Sequence, residues 1–254
     1  MTRIVSWFSC GAASAYATYL ASQKYGNIEA VYCRVRQEHP SNMKFLEEFQ
    51  RKTNIAVTII ENQEFKGDIF NVFLKRKFLK NQYGAPCTMI LKKDMRKEYQ
   101  QEGDVQIFGY PIEEEQRMLD FCERNKEVVM DNILIDKAIT KNDCKQWVLD
   151  MGFELPIMYQ LGYQNNNCIG CVKGGMGYWN AIRKDFPEAF DKMAKTERLI
   201  GHAVNKSEGE PVYLDELEPT RGNFKRDQPS DCGFLCDFQY DFFKQPMEQR
   251  NENS

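Results

Sequence analysis

No charge of one sign dominates the chain: 34 Lys and Arg face 37 Asp and Glu, for a formal net charge of −3. Global basicity of the kind that holds a protein on nucleic acid is therefore excluded, although a local basic patch is not. No apolar run approaches the ~18 residues of a membrane-spanning helix, and no signal-peptide pattern is present. These absences predict a cytoplasmic protein without a membrane partner. Internal repeats and low-complexity tracts are missing as well.

What is present is a chain of 254 residues, 42% hydrophobic, long enough for one sizeable core or one core plus an appendage. It also carries nine cysteines. Without a secretion signal these point away from a disulfide framework and towards metal, cluster or redox chemistry. Cys33 in an apolar run, and Cys122 and Cys144 in helical patterns, read instead as small core residues.

The stretch Ser6–Ala21, SWFSCGAASAYATYLA, gives the first functional signal. An apolar strand, a turn of tiny residues and an Ala- and Tyr-rich helix follow one another. Backbone N–H groups at such a helix start attract a phosphate, and small side chains let it approach. Further strands are predicted at 28–35, 55–61 and 104–111, each an apolar or β-branched run. Ser41-Asn42 reads as the N-cap of a helix, and 113–125 and 140–151 read as helices. The latter opens on a Thr140-x-x-Asp143 capping box. Strands alternating with helices imply a mostly parallel, doubly wound α/β sheet with phosphate ligands at the strands' carboxyl ends. Composition changes near residue 160. The chain thus divides into a nucleotide-binding α/β domain, 1–160, and a segment 161–254 containing a Cys-rich stretch, a helix interrupted at Pro187 and a polar tail packed on that domain.

Cys168-Ile169-Gly170-Cys171 is the sharpest local motif. Two thiolates three positions apart, with a glycine permitting the turn, suit zinc, an iron–sulfur cluster or a dithiol. Partners are available in Cys87, at a helix start that favours thiolate, and in Cys232 and Cys236 of the tail. Lys92, Lys93 and Arg96 follow Cys87 on one helix. They form either an anion-binding set or a solvated basic face; Arg117 is a fourth candidate. Tyr178 and Trp179 read as core.

Taken in order, these segments resemble the phosphoadenosine-phosphosulfate (PAPS) reductase family of the PP-loop adenine-nucleotide alpha-hydrolase superfamily. The resemblance covers most of residues 3–200. Ser9-Cys10-Gly11-Ala12-Ala13-Ser14 matches the superfamily loop S-G-G-x-D-S at three positions, and Gln37-Glu38-His39-Pro40 stands where GQEHP-like segments stand. Cys87-Thr88-x-x-Leu91-Lys92 matches the cysteine before an L-K helix. Gly109, through Glu113-Glu114-Glu115 to Arg117, matches the strand-end glycine, acidic stretch and arginine. Pro156, Tyr159 and Gly162 precede Cys168-x-x-Cys171 as in the family.

The resemblance implies an adenine nucleotide held on Ser9, Cys10, Gly11, Ala12, Ala13, Ser14 and Gly109, with Lys92, Lys93, Arg96 and Arg117 on the substrate. Its iron–sulfur branch implies a [4Fe–4S] cluster on Cys87, Cys168 and Cys171, with the fourth site either open or filled from the tail by Cys236. Thr88 replaces the second cysteine of that branch's first pair. Zinc on Cys168, Cys171, Cys232 and Cys236 is the alternative. Asp231-Cys232-Gly233-Phe234 resembles the E-C-G-[IL]-H tail whose cysteine attacks sulfur, though the His is missing, and a C-x3-C that only ligates metal is the other reading.

The implied activity is reduction of adenylyl sulfate or PAPS to sulfite, Cys232 being the nucleophile and a thioredoxin-like thiol the reductant. Ala13 stands where ATP-splitting relatives carry an acid, which favours a nucleotide that is held rather than cleaved. Two further readings stay open: an ATP-using sulfurtransferase acting on tRNA or DNA, and a nucleotide-binding regulator without catalysis.

Overall fold

The computed structural model describes residues 2–81 and 84–230. Along the chain run β1 (Ile4–Phe8), α1 (Ala12–Tyr25), β2 (Glu29–Cys33), α2 (Ser41–Thr53), β3 (Val57–Ile60), α3 (Ile69–Arg76) and α4 (Pro86–Thr88). A π-helical turn (Met89–Lys93) leads into α5 (Asp94–Tyr99) and β4 (Val105–Ile107). A 3-10 turn (Ile112–Glu114), α6 (Glu115–Arg124), β5 (Val129–Asp131), α7 (Ile133–Asp136), α8 (Lys141–Asp150) and α9 (Ile157–Gln160) follow. The last elements are α10 (Met176–Asp185), α11 (Pro187–Ile200), β6 (Asn205–Ser207) and β7 (Glu210–Val212). Two compact units result. One holds the residues up to Asp68 together with Asp94–Ile169; the other holds Ile69–Lys93 and the described residues from Gly170 on.

The first unit is α/β, a five-stranded sheet in the order β3-β2-β1-β4-β5 with every pairing parallel. The central strand β1 has no polar face, and all five of its residues are buried, as expected of a parallel strand covered on both sides. On one side Ile4 and Phe8 join a core with Ala15 of α1, Phe45 and Phe49 of α2 and Val148 of α8. On the other side the Trp7 indole N–H donates to Gln106 Oε1 at 3.0 Å, and its ring meets Tyr99 of α5 edge-on.

Helix α1 buries Ala12, Ala15, Ala17 and Ala21, which lets it lie close on the strand, where Ser6 Oγ and Thr18 Oγ1 stand 2.8 Å apart. The helix is covered by α8 as well: Tyr16 stacks on Trp147 at 4.7 Å. The Thr140–Asp143 capping box of α8 is formed. The expected N-cap of α2 is not. Ser41 and Asn42 are already helical, with Pro40 before them in helical conformation. Their side chains serve tertiary bonds, Ser41 Oγ accepting from Ile157 N and Asn42 Oδ1 from Asn166 Nδ2.

In the second unit α10 and α11 pack as a pair broken at Phe186-Pro187, as the sequence indicates. Trp179 faces Phe190 at 6.3 Å, and Arg183 lies over the same ring. Tyr178 and Trp179 are buried, as read. β6 and β7 form an antiparallel hairpin, joined to α11 by Glu197, which accepts from Val204 N (2.6 Å) and Leu214 N (2.7 Å). No helix among the described residues is long and apolar enough to cross a membrane.

Candidate functional site

Strand order reverses between β1 and β4, so their carboxyl ends open into the loops that begin at Ser9 and Phe108. Ligands of open parallel sheets bind at such switch points. Helix α1 starts here with Gly11 as an extended N-cap. Gly11 has no side chain to cap the helix, the first turn carries no acid, and Ala12 N donates to the Tyr159 hydroxyl at 3.4 Å. No carboxylate thus offsets the partial positive charge of this helix end.

The loop is held from inside. Ser14 Oγ accepts from Ser9 N and donates to Gly11 O, each at 3.0 Å, closing the turn on itself. Gly109 makes the approach of β4 possible: a β-carbon there would stand 2.5 Å from Ser14 N. Cys10 is buried with φ 58°, a left-handed conformation that costs a non-glycine residue free energy. Its carbonyl accepts from Asn166 Nδ2 at 2.8 Å. The same amide nitrogen donates to Asn42 Oδ1 (2.8 Å), Asn42 donates to Glu38 Oε2 (3.1 Å), and the Tyr32 hydroxyl donates to Glu38. All four side chains are buried. Burial first, then the charges of Glu38 and the thiols of Cys10 and Cys168, push the Tyr32 hydroxyl far above its usual pKa, so it stays a donor. A connected buried network of this kind fixes geometry more firmly than its separate bonds. It joins Cys10 of the loop to the Gln37–Pro40 segment and the start of α2. Ile169 N donates to Gln37 O (2.8 Å), which ties the backbone beside Cys168 to the same segment.

One further group faces the α1 terminus, and a cation lies over its ring. The Tyr159 hydroxyl lies 3.4 Å from Ala12 N. The Lys145 ammonium lies 4.9 Å from the Tyr159 ring centre. Burial, then Lys141, lowers the Lys145 pKa, and an anion at this place would reverse that effect.

Of the predicted substrate cations in this unit, Arg96 is fully buried under the sheet. It donates to Gln100 Oε1 (2.7 Å) and lies over Phe121. Arg117 pairs with Glu114.

The second unit holds Cys87 at the start of α4, followed by Lys92 and Lys93 on the π-helical turn. Both lysines are buried, so this is not a solvated basic face. Such π-turns concentrate at functional positions. Gly170 is left-handed at φ 71°, as the Cys168-x-x-Cys171 turn requires. Cys171 N donates to the Tyr178 hydroxyl at 2.9 Å. Lys80 lies near Cys171 and Glu197; burial lowers its pKa to about 8 against their opposing effect. Cys33 and Cys144 are buried core residues, and Cys122, half-buried, donates to Met118 Sδ.

Among the described residues no group of three or more His, Cys, Asp or Glu side chains is gathered to hold a metal ion. Cys232 and Cys236 lie outside the described residues. Asn166 and Lys145 were not singled out in the sequence. The one signal for Asn166 was a run of three asparagines, 165–167, directly before Cys168. No family model matches this chain, nor does any curated protein sequence.

Proposed function

We propose that the protein is an adenine-nucleotide-binding enzyme of sulfur metabolism that reduces adenylyl sulfate or PAPS to sulfite, in the manner of the PAPS reductase family. The observation that carries the reading is the acid-free start of α1, behind Gly11, at the switch point between β1 and β4, with Gly109 clearing the approach. An adenosine phosphate held there would take its hydrogen bonds from the first N–H groups of α1, with Lys145 as counter-charge. No residue of the first turn supplies a carboxylate to hold magnesium for α–β phosphate cleavage, which fits a nucleotide that is bound and not split.

The chemistry then belongs to a thiol. The Cys232 thiolate attacks the sulfate sulfur, the sulfur–oxygen bond to the nucleotide breaks, and the adenosine phosphate leaves with that bond's electron pair. A thioredoxin-like dithiol attacks the Cys232 sulfur, takes up the oxidation as a disulfide and releases sulfite. The Cys168-x-x-Cys171 spacing supports an iron–sulfur cluster, with Cys87 and Cys236 as the remaining thiolates and zinc as the alternative.

Calorimetric titration with AMP, adenylyl sulfate and PAPS, alongside sulfite release with a thiol reductant, tests the reading. Binding of at least one sulfated nucleotide with sulfite release supports it. Binding without sulfite leaves a nucleotide-binding protein, and no binding removes the proposal. Turnover of ATP to AMP and pyrophosphate, stimulated by tRNA or DNA, would select the sulfurtransferase.

A further inference from the structure

The buried network beside the α1 loop leaves one acceptor over, and its orientation is fixed link by link. Asn42 Nδ2 donates to Glu38 Oε2 at 3.1 Å, which turns Asn42 Oδ1 towards Asn166. Asn166 Nδ2 then has two acceptors before it, Asn42 Oδ1 and the Cys10 carbonyl, each at 2.8 Å. Flipping the Asn166 amide would set its oxygen against both, so Oδ1 is the lobe that faces away from these bonds. Asn166 is only 8% exposed, and its Oδ1 is buried with no hydrogen-bond partner among the described residues. A buried acceptor without a donor costs free energy, and such a group in a native structure calls for a ligand, an ion or a water.

Its place in the fold decides among these. Cys10, whose carbonyl Asn166 holds, directly precedes Gly11, the N-cap of α1. Asn42 stands in the first turn of α2, the helix that follows β2. The amide therefore lies between the starts of α1 and α2, beyond the carboxyl ends of the paired strands β1 and β2. Ligands of parallel sheets bind at that edge. Cys10 is itself held at φ 58°, so a strained residue and an orphan acceptor adjoin, as they do where a structure is shaped for a ligand. A neutral amide oxygen does not attract a phosphate, whose oxygens are acceptors as well. It takes an O–H or N–H donor.

We propose, as an extension that rests on the nucleotide reading, that Asn166 is a ligand-binding residue whose Oδ1 accepts a hydrogen bond from a ribose hydroxyl. The ribose carries the O–H donors nearest to a 5′-phosphate seated on the start of α1, and the base amine lies beyond the sugar. The Asn166 amide holds the residue directly before that helix start, which puts its oxygen on the sugar's side of the loop. One amide then serves two ends: Nδ2 sets the Cys10 carbonyl, and Oδ1 reads the sugar.

Calorimetric titration of the full chain with AMP, 2′-deoxy-AMP, 3′-deoxy-AMP and inosine monophosphate tests this. A ligand without the donor leaves the acceptor unpaired in the complex, so one deoxy nucleotide should bind about tenfold more weakly than AMP. The nucleotide that loses affinity identifies the hydroxyl. In Asn166→Ala, shown to be folded by circular dichroism and a melting curve, the gap between AMP and that nucleotide should close. If Asn166→Ala does not fold, a crystal structure of the wild-type AMP complex takes its place, with Asn166 Oδ1 expected within hydrogen-bonding distance of a ribose hydroxyl. Equal affinity for AMP and both deoxy nucleotides, a gap that persists in the folded variant, or a water on Oδ1 in the complex overturns the inference and leaves the nucleotide reading standing. A loss confined to inosine monophosphate does the same, because the acceptor would then belong to the base amine. Failure of AMP to bind at all removes the nucleotide reading, and this inference with it.

Discussion

A β-carbon added at Gly109 would meet Ser14 N at 2.5 Å, Ser14 Cα at 2.6 Å and the Ala13 carbonyl carbon at 2.8 Å. These are backbone atoms of the first turn of α1, which cannot swing aside as a side chain can. Gly109→Ala must therefore push β4 and the loop apart, at about 1–3 kcal/mol. The expected outcome is a lower melting temperature together with at least tenfold weaker binding of an adenosine phosphate, read by calorimetry. Unchanged affinity would detach the ligand from this loop. Lys145→Met makes a separate, electrostatic test. Affinity for AMP should fall severalfold at low ionic strength, and the difference from wild type should shrink as salt is added. The two positions also differ in how far the sequence announced them. Gly109 ends an apolar run and stands where the resemblance expects a strand-end glycine, so it stood out. Lys145 and Asn166 acquire their places only through folding: Asn166 meets Cys10 across 156 positions of sequence, and no local pattern records such a pairing.

Elements with a strong local pattern were legible, and those defined by tertiary context were not. The first four strands are apolar or β-branched runs, and each was found. β5 is three residues long with Val129 about half exposed, an edge strand with too little apolar sequence to register. The N-cap expected at Ser41-Asn42 failed because Ser41 Oγ is committed to Ile157 N and Asn42 to Asn166 of the buried network. Glu197 shows the same tertiary override within α11. Its buried carboxylate, holding Val204 N and Leu214 N, has its pKa raised to about 7, with burial the largest cause. The two backbone bonds and Arg198 pull it down, Asp215 pushes it up, and Lys80 faces it as a cation. The unfolded carboxylate titrates near 4.5, so between pH 4.5 and 7 the native state binds more protons than the unfolded state. Stability from this group is fully present below pH 4.5 and declines as pH rises through 7. A shift of this size corresponds to about 3 kcal/mol. Urea denaturation at pH 5 and pH 8 should show wild type losing stability across that interval. Glu197→Gln, neutral throughout, should lose markedly less; equal slopes in the two proteins would remove Glu197 as the cause.

At the scale of the whole molecule, the sequence did not disclose that Ile69–Lys93 belongs with the C-terminal half of the chain. Helical periodicity reports which face of α3 is apolar but not what covers it, and the answer lies in α11, where Lys192 sits 3.9 Å over the Phe70 ring. That grouping puts Cys87, Lys92, Lys93 and Cys171 in one unit, while Cys168 and the start of α1 belong to the other. Under the proposed reading, nucleotide holding and thiol chemistry are to be separated by experiment. Cys232→Ser is the variant that separates them. If Cys232 is the attacking thiol, the change abolishes sulfite release and leaves AMP affinity and the iron or zinc content per chain at wild-type values, because a group acting only along the reaction path does not alter ground-state binding. If Cys232 is instead a ligand, metal content falls together with activity. Wild-type protein that binds AMP yet yields no sulfite from either sulfated nucleotide removes the reductase reading. Turnover of ATP to AMP and pyrophosphate would then require a carboxylate to replace the one missing at Ala13. Glu113 already accepts from Lys141 N, and Glu114 is buried against Arg117 and Lys141. Glu115 is exposed at the start of α6 and is the first of the three to substitute; Glu115→Gln should then abolish pyrophosphate release while leaving AMP binding intact.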